Sequence, residues 1–151
     1  MKSKVADIIN AGVMANRKHK YNLQTNINNL FLYYIMRFKQ EFSFEQRFAE
    51  SSRVLNKYPD RVPIICEKSK TASNDCPDID KKKYLVPRDL NMGQFLYVIR
   101  KRLRLPPEKA IFLFVGNSIA PSTSSINDIY SIHKDPDRFL YITYGLENVF
   151  G

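Results

Sequence analysis

Five glycines in 151 residues leave no glycine-rich phosphate loop and no dinucleotide-binding pattern. Neither GxSxG nor HExxH occurs, so the common hydrolase and zinc-protease constellations are excluded. Two cysteines, Cys66 and Cys76, are too few for a disulfide framework, and their spacing is that of neither a CxxC pair nor a zinc finger. They are expected to be buried and reduced. His19 and His133 are too scattered for a histidine metal site. Cys66 lies in an apolar run, a poor setting for a nucleophile that must be exposed and ionised. No enzyme activity and no cofactor are therefore expected. No apolar run approaches the roughly 18–20 residues that cross a bilayer. The longest, Leu30 to Met36, lies too far from the start for a signal peptide, so a cytoplasmic address is the default.

What is present suits one compact domain: 44% hydrophobic and 26% charged residues. The net charge is +9, which favours anionic partners or a solvated basic face. Part of that excess is N-terminal, where Lys2, Lys4, Arg17, Lys18 and Lys20 face only Asp7. Residues 1–35 are rich in Asn and weakly periodic, and are expected to form a poorly ordered extension. Residues 36–151 are expected to form the domain, with a flexible tail over 145–151.

Within the domain, residues 43–57 read as a helix capped by Ser43, with Phe44, Phe48, Val54 and Leu55 as a partial apolar stripe. Val62 to Cys66 reads as a strand whose Pro63 suggests an edge or strand-start position. Lys83 to Val86 is a second strand. Asn91 to Leu103 has Asn91 as N-cap, Met92, Phe95, Leu96, Ile99 and Leu103 on one face, and arginines at its end. Ile111 to Val115, apolar on both faces, predicts a central buried strand. Ser118 to Ser125 reads as a loop, Ile126 to His133 as a short helix, and Phe139 to Tyr144 as the last strand. Two strands, a crossing helix and two more strands predict an α+β fold with a mixed four-stranded sheet.

Several blocks carry a family resemblance. They are Tyr58-Pro59-Asp60-Arg61-Val62-Pro63-Ile64-Ile65-Cys66-Glu67-Lys68, Asp80-Lys81-Lys82-Lys83-Tyr84-Leu85-Val86-Pro87, Gly93-Gln94-Phe95 through Arg100, Leu105-Pro106-Pro107-Glu108-Lys109-Ala110, and Phe139-Leu140-Tyr141. From about Met36 to Gly151 the chain resembles the autophagy ubiquitin-like modifiers, the GABA-receptor-associated-protein family. The resemblance implies a ubiquitin-like β-grasp with two additional N-terminal helices. It also implies transfer: the terminal glycine carboxylate is activated as an adenylate, passed through enzyme thioesters, and joined to the amine of phosphatidylethanolamine. Gly151 stands at that position, either as the encoded end or as one exposed by trimming, and its lack of a Cβ suits a narrow enzyme channel.

The family also binds Trp/Phe/Tyr-x-x-Leu/Ile/Val motifs as an added strand, with anchors on opposite sides. By resemblance, Glu50, Val54, Pro63, Ile65, Lys83, Leu85 and Phe139 form the aromatic pocket. Tyr84, Val86, Pro87, Leu90, Phe95, Val98 and Ile99 form the aliphatic pocket. Arg61, Lys81 and Arg100 meet acidic flanks. Without the resemblance, Phe95, Ile99, Leu85 and Ile65 read more simply as core. The implied partners are activating and conjugating enzymes, a deconjugating cysteine protease, motif-bearing cargo receptors, phosphatidylethanolamine membranes and, more remotely, tubulin. The implied location is the cytoplasm, then autophagosome membranes, with vacuole or lysosome beyond.

The chain departs from the family in places. About two extra residues lie between Glu67 and Asp78, Cys76 replaces an aliphatic residue, Arg138 replaces a glycine, and Gly145-Leu146 alters the tail. If the turn at 138 needs φ > 0, Arg138 is strained or the turn changes type. Two alternatives compete: an unconjugated adaptor with the same groove, and a basic nucleic-acid module. The second lacks any RNP-like strand or finger, so nucleic acid is not an expected partner.

Overall fold

The computed structural model describes residues 37–73 and 75–146; the expectations for residues 1–35 and for Gly151 fall outside them. In chain order the elements are α1 (Phe38–Glu41), α2 (Phe44–Lys57), β1 (Arg61–Lys68), β2 (Lys83–Pro87), α3 (Met92–Leu103), β3 (Phe112–Val115), β4 (Ser118–Ile119), α4 (Ile126–His133) and β5 (Leu140–Gly145). Helix starts follow local chemistry. Ser43 Oγ accepts from the Gln46 N–H and Gln46 Oε1 accepts from the Ser43 N–H, so two orphan donors are satisfied reciprocally. Asn91 and Gln94 repeat the arrangement at 2.9 Å in both directions. Ser125 Oγ caps α4 through the Asp128 N–H. No helix among the described residues is long and apolar enough to cross a membrane.

The strands form one sheet in the order β2-β1-β5-β3-β4, which is five strands and not the four expected. The extra strand comes from a hairpin in which Val115 pairs with Ser118 across Gly116 and Asn117. Gly116 sits at φ 61, the backbone that a two-residue hairpin with glycine first requires. Part of the expected 118–125 loop is therefore β4. The centre of the sheet is β5 rather than the 111–115 segment. It runs parallel to β1 from Ile64↔Leu140 to Lys68↔Tyr144 and antiparallel to β3. Only a long-range pairing decides this, so local apolarity points to the neighbouring strand instead. Gly145, expected to begin the tail, ends β5, and Leu146 packs against the core.

Pro63 lies in β1, an interior strand and not an edge, as the third residue from its start. The Cys66 N–H donates to the Lys82 carbonyl, so even-numbered β1 residues face β2 with their backbone. The nitrogen of Pro63 has the opposite parity and points to the β5 side, where pairing begins only at Ile64. Its missing donor therefore leaves no gap in the β1–β2 ladder.

The sheet separates two apolar clusters. On one face α3 and α4 pack Met92, Phe95, Val98, Ile99, Ile126 and Ile129 over Val62, Ile64, Cys66, Tyr84, Val86, Leu140, Ile142 and Tyr144. On the other, Phe38, Phe42 and Val54 of the N-terminal helical segment cover Ile65, Leu85 and Phe139. The α2 stripe differs from expectation. Its buried residues are Glu50, Ser51 and Val54, whereas Phe44 is 43% exposed and stacks on Phe48 at 5.8 Å. Polar locks hold the helical segment to the sheet. Arg47 and the Tyr141 hydroxyl both reach Asp137 Oδ2 at 2.5 Å, and Ser51 Oγ donates to the Asp137 carbonyl at 2.6 Å. Lys39 pairs with Asp135 at 2.6 Å, and the Phe38 N–H donates to Glu67 at 3.0 Å. The turn at Arg138 keeps its left-handed backbone, with φ 70, despite the arginine. Its guanidinium lies 4.8 Å from the centre of the Phe48 ring.

Candidate functional site: the open edge of β2

Among the described residues β2 is an outer strand of the sheet, bonded on one side only, by β1. Its register fixes which groups that pairing uses. Val62↔Val86 and Ile64↔Tyr84 are opposed, the Lys82 carbonyl accepts from Cys66, and the Arg88 N–H donates to the Asp60 carbonyl. Even-numbered residues thus turn their backbone towards β1. The N–H and C=O groups of Lys83 and Leu85, and the carbonyl of Pro87, point away from the sheet. Pro87 offers no donor there, so the exposed ladder ends at Leu85.

Side chains alternate across the same strand. Leu85 enters the cluster under α1 and α2, and Tyr84 and Val86 enter the cluster under α3. The two sets proposed from the resemblance are therefore brought together on opposite faces of one edge. Val54, Ile65, Phe139 and Leu85 lie on the first face. Tyr84, Val86, Leu90, Phe95, Val98 and Ile99 lie on the second. Pro63 and Pro87 are buried in the two strands that carry them. All these apolar side chains are closed off from solvent, as the simpler core reading has it.

Glu50 and Lys83 are the polar members of the first set. Lys83 Nζ bonds to Glu50 Oε1 at 3.2 Å, and Glu50 is buried. The same ammonium lies 5.4 Å from the centre of the Phe38 ring and 5.1 Å from that of Phe42. Sequence reasoning missed both rings. Their spacing of four residues, on either side of Lys39-Gln40-Glu41, is the available signal for the single turn of α1. On the second face Tyr84 meets Phe95 edge-on at 5.6 Å, and its hydroxyl donates to the Lys81 carbonyl at 2.6 Å. Burial pushes that hydroxyl far above its ordinary pKa, so it remains a donor.

Two of the proposed flank cations bracket the edge. Arg61 is opposite Pro87 at one end, and Lys81 precedes Lys83 at the other. Burial, then repulsion from Arg102, lowers the Lys81 pKa. Arg100 is engaged elsewhere: its guanidinium bonds to the carbonyls of Lys109 at 2.5 Å and Pro106 at 3.1 Å, fastening the turn after α3. Cys66 and Cys76 are free and buried, and burial raises both thiols. No cluster of metal-ligating side chains occurs among the described residues.

Known proteins share both the sequence and this architecture. The profile of the ubiquitin-like autophagy protein Atg8 matches residues 46–151. Autophagy-related protein 8 of Candida glabrata is 55% identical over 114 residues, covering 76% of this chain and 95% of the relative. The Schizosaccharomyces pombe protein of the same name is 57% identical over 114 residues, covering 93% of its own length. The crystal structure of Trypanosoma brucei ATG8 superposes with a TM-score of 0.70 at 42% identity, over 77% of this chain and 98% of that one.

Proposed function

Because the chain belongs to the Atg8 family of ubiquitin-like autophagy proteins, we propose that it is a modifier joined through Gly151 to phosphatidylethanolamine on autophagosomal membranes, where its β2 edge recruits partners bearing Trp/Phe/Tyr-x-x-Leu/Ile/Val motifs. One observation carries the recruiting role: the outward N–H and C=O groups of Lys83 and Leu85 run between two apolar clusters on opposite sheet faces. An extended peptide bonded to those groups sets its side chains alternately up and down. Anchors three residues apart then project to opposite faces, the aromatic one towards Leu85, Ile65, Val54 and Phe139, the aliphatic one towards Tyr84, Val86, Phe95 and Ile99. Arg61 and Lys81 attract acidic flanks, which speeds encounter more than it deepens affinity.

Membership of the family supports the membrane role, with Gly151 as the residue transferred. The carboxylate is activated as an adenylate, held as a thioester on the activating and then the conjugating enzyme, and attacked by the lipid amine to form an amide. A cysteine protease reverses the bond. This chain serves as the cargo of that chemistry, not as its catalyst. It moves from cytoplasm to autophagosome by acquiring a lipid.

Two experiments test the reading. The first incubates the full chain with activating enzyme, conjugating enzyme, ATP and phosphatidylethanolamine vesicles. A lipid adduct lost in Gly151→Ala is expected; no adduct beside a competent control would leave only an unconjugated adaptor. The second separates main-chain pairing from side-chain contact. Lys83→Ala removes the Glu50 ion pair and keeps the outward N–H; Lys83→Pro removes both. If a peptide adds to β2, the proline variant binds a Trp-x-x-Leu peptide more weakly than the alanine variant by one hydrogen bond, about 0.5–1.5 kcal/mol or roughly two- to ten-fold. Equal affinities would reject strand addition at this edge.

A further inference from the structure

The aromatic side of this groove is already filled. Val54, Ile65 and Phe139 are wholly buried and Leu85 is 1% exposed, because Phe38 and Phe42 complete their cluster. The two rings differ in exposure. Phe38 is fixed from several directions: its ring meets Phe139 edge-on at 5.2 Å and Phe42 at 5.0 Å, and its N–H is bonded to Glu67. Phe42 is the more exposed of the pair and closes α1 with an extended backbone, φ −123 and ψ 139. Its N–H and carbonyl are tied to Phe38 and Arg47, so its backbone is set. Lys83, the first residue of the open strand, holds its ammonium 5.1 Å from that ring's centre.

We propose that Phe42 is a plug that a partner's aromatic anchor must displace, so that the chain competes with its own ligands for the aromatic hollow. The idea rests on the β2 groove reading. Rotation of one side chain opens the hollow, and α1 and Phe38 need not move. The incoming ring restores the apolar burial lost by Phe42 and takes its place beneath Lys83, where a cation attracts any aromatic face. The exchange is nearly ring for ring. Apparent affinity is then the intrinsic affinity reduced by the fraction of molecules in which Phe42 is out.

The test titrates the full wild-type chain and Phe42→Ala with a Trp-x-x-Leu peptide and with the same peptide carrying Ala for Trp. The expected result is tighter Trp-peptide binding by Phe42→Ala, roughly ten-fold if the closed form outnumbers the open by that ratio. The Ala-anchored peptide, which displaces nothing, should show no gain. A destabilised fold would weaken binding, so a gain cannot arise that way. Should the alanine variant fail to fold, Phe42→Leu, smaller and still apolar, should shift affinity in the same direction. Unchanged or weaker Trp-peptide binding in the folded variant would overturn the plug alone. Absence of saturable binding by wild type and variant alike would remove the groove reading, and the plug with it.

Discussion

Asp137→Ala should unfasten the N-terminal helical segment from the sheet, and its cost can be worked from the contacts. The Asp137 side chain is wholly buried and its Arg47 partner is 11% exposed. One carboxylate oxygen receives the Arg47 guanidinium and the Tyr141 hydroxyl, both at 2.5 Å, and the other receives the Phe139 N–H at 2.9 Å. Burial, then the bond to Asp137, pushes the Tyr141 hydroxyl well above its ordinary pKa, so it stays protonated and donates. Alanine leaves a nearly enclosed arginine without its counter-ion and two donors without this acceptor. Removing one partner of a buried pair costs about 3–5 kcal/mol. With a urea slope of about 2 kcal/mol per molar, the denaturation midpoint should fall by roughly 1.5–2.5 M with the slope unchanged. Tyr141→Phe removes one donor and leaves the ion pair, so it should cost only about 1 kcal/mol. A loss below about 1 kcal/mol for Asp137→Ala, or equal losses in the two variants, would mean that Arg47 finds water easily and that the charge pair does not hold the segment.

Other perturbations follow from the same contacts. Arg138→Ala keeps the left-handed backbone and removes the Phe48 contact, whereas Arg138→Gly removes the strain; the glycine variant should be the more stable by about 1 kcal/mol in thermal or urea unfolding. Burial alone would raise the Asp135 pKa, but Lys39 and the Asp137 N–H outweigh it and hold the carboxyl below its usual range. Its contribution is therefore present above about pH 4 and is lost as pH falls through that value towards the folded pKa; Lys39→Ala should flatten this acid limb of the stability profile. Cys66 and Cys76 should react with a maleimide only as fast as the core opens, so mild denaturant should accelerate labelling steeply, and rapid labelling in native buffer would contradict their burial.

Much of this architecture could be read from residues next to one another in the chain. The caps at Ser43 and Asn91 place two helix starts, and the β-branched run at Val62 to Cys66 announces β1. What escaped depends on distant partners. The parallel match of β1 to β5 makes the last strand the centre, and no local pattern distinguishes it from the more apolar β3. The two residues of β4 are too short for any periodicity, although Gly116-Asn117 marks the hairpin that creates them. At the site, alternation along Lys83-Tyr84-Leu85-Val86 correctly splits the side chains between the faces. It says nothing of the rings that close one face, because Phe38 and Phe42 arrive from an element of a single turn. Arg138 shows the converse: the turn needs a left-handed residue, and cation stacking on Phe48 accompanies an arginine there.

The position of β5 also shapes how the molecule is made. A chain emerging from the ribosome presents β1, β2 and β3 well before the strand that must lie between β1 and β3. Until β5 has been made the nascent sheet is split into halves, each with a bare inner border, and contacts between distant parts of a chain form slowly. A chain that stops short of β5 would leave those halves unjoined, each with an inner border free to pair with another chain.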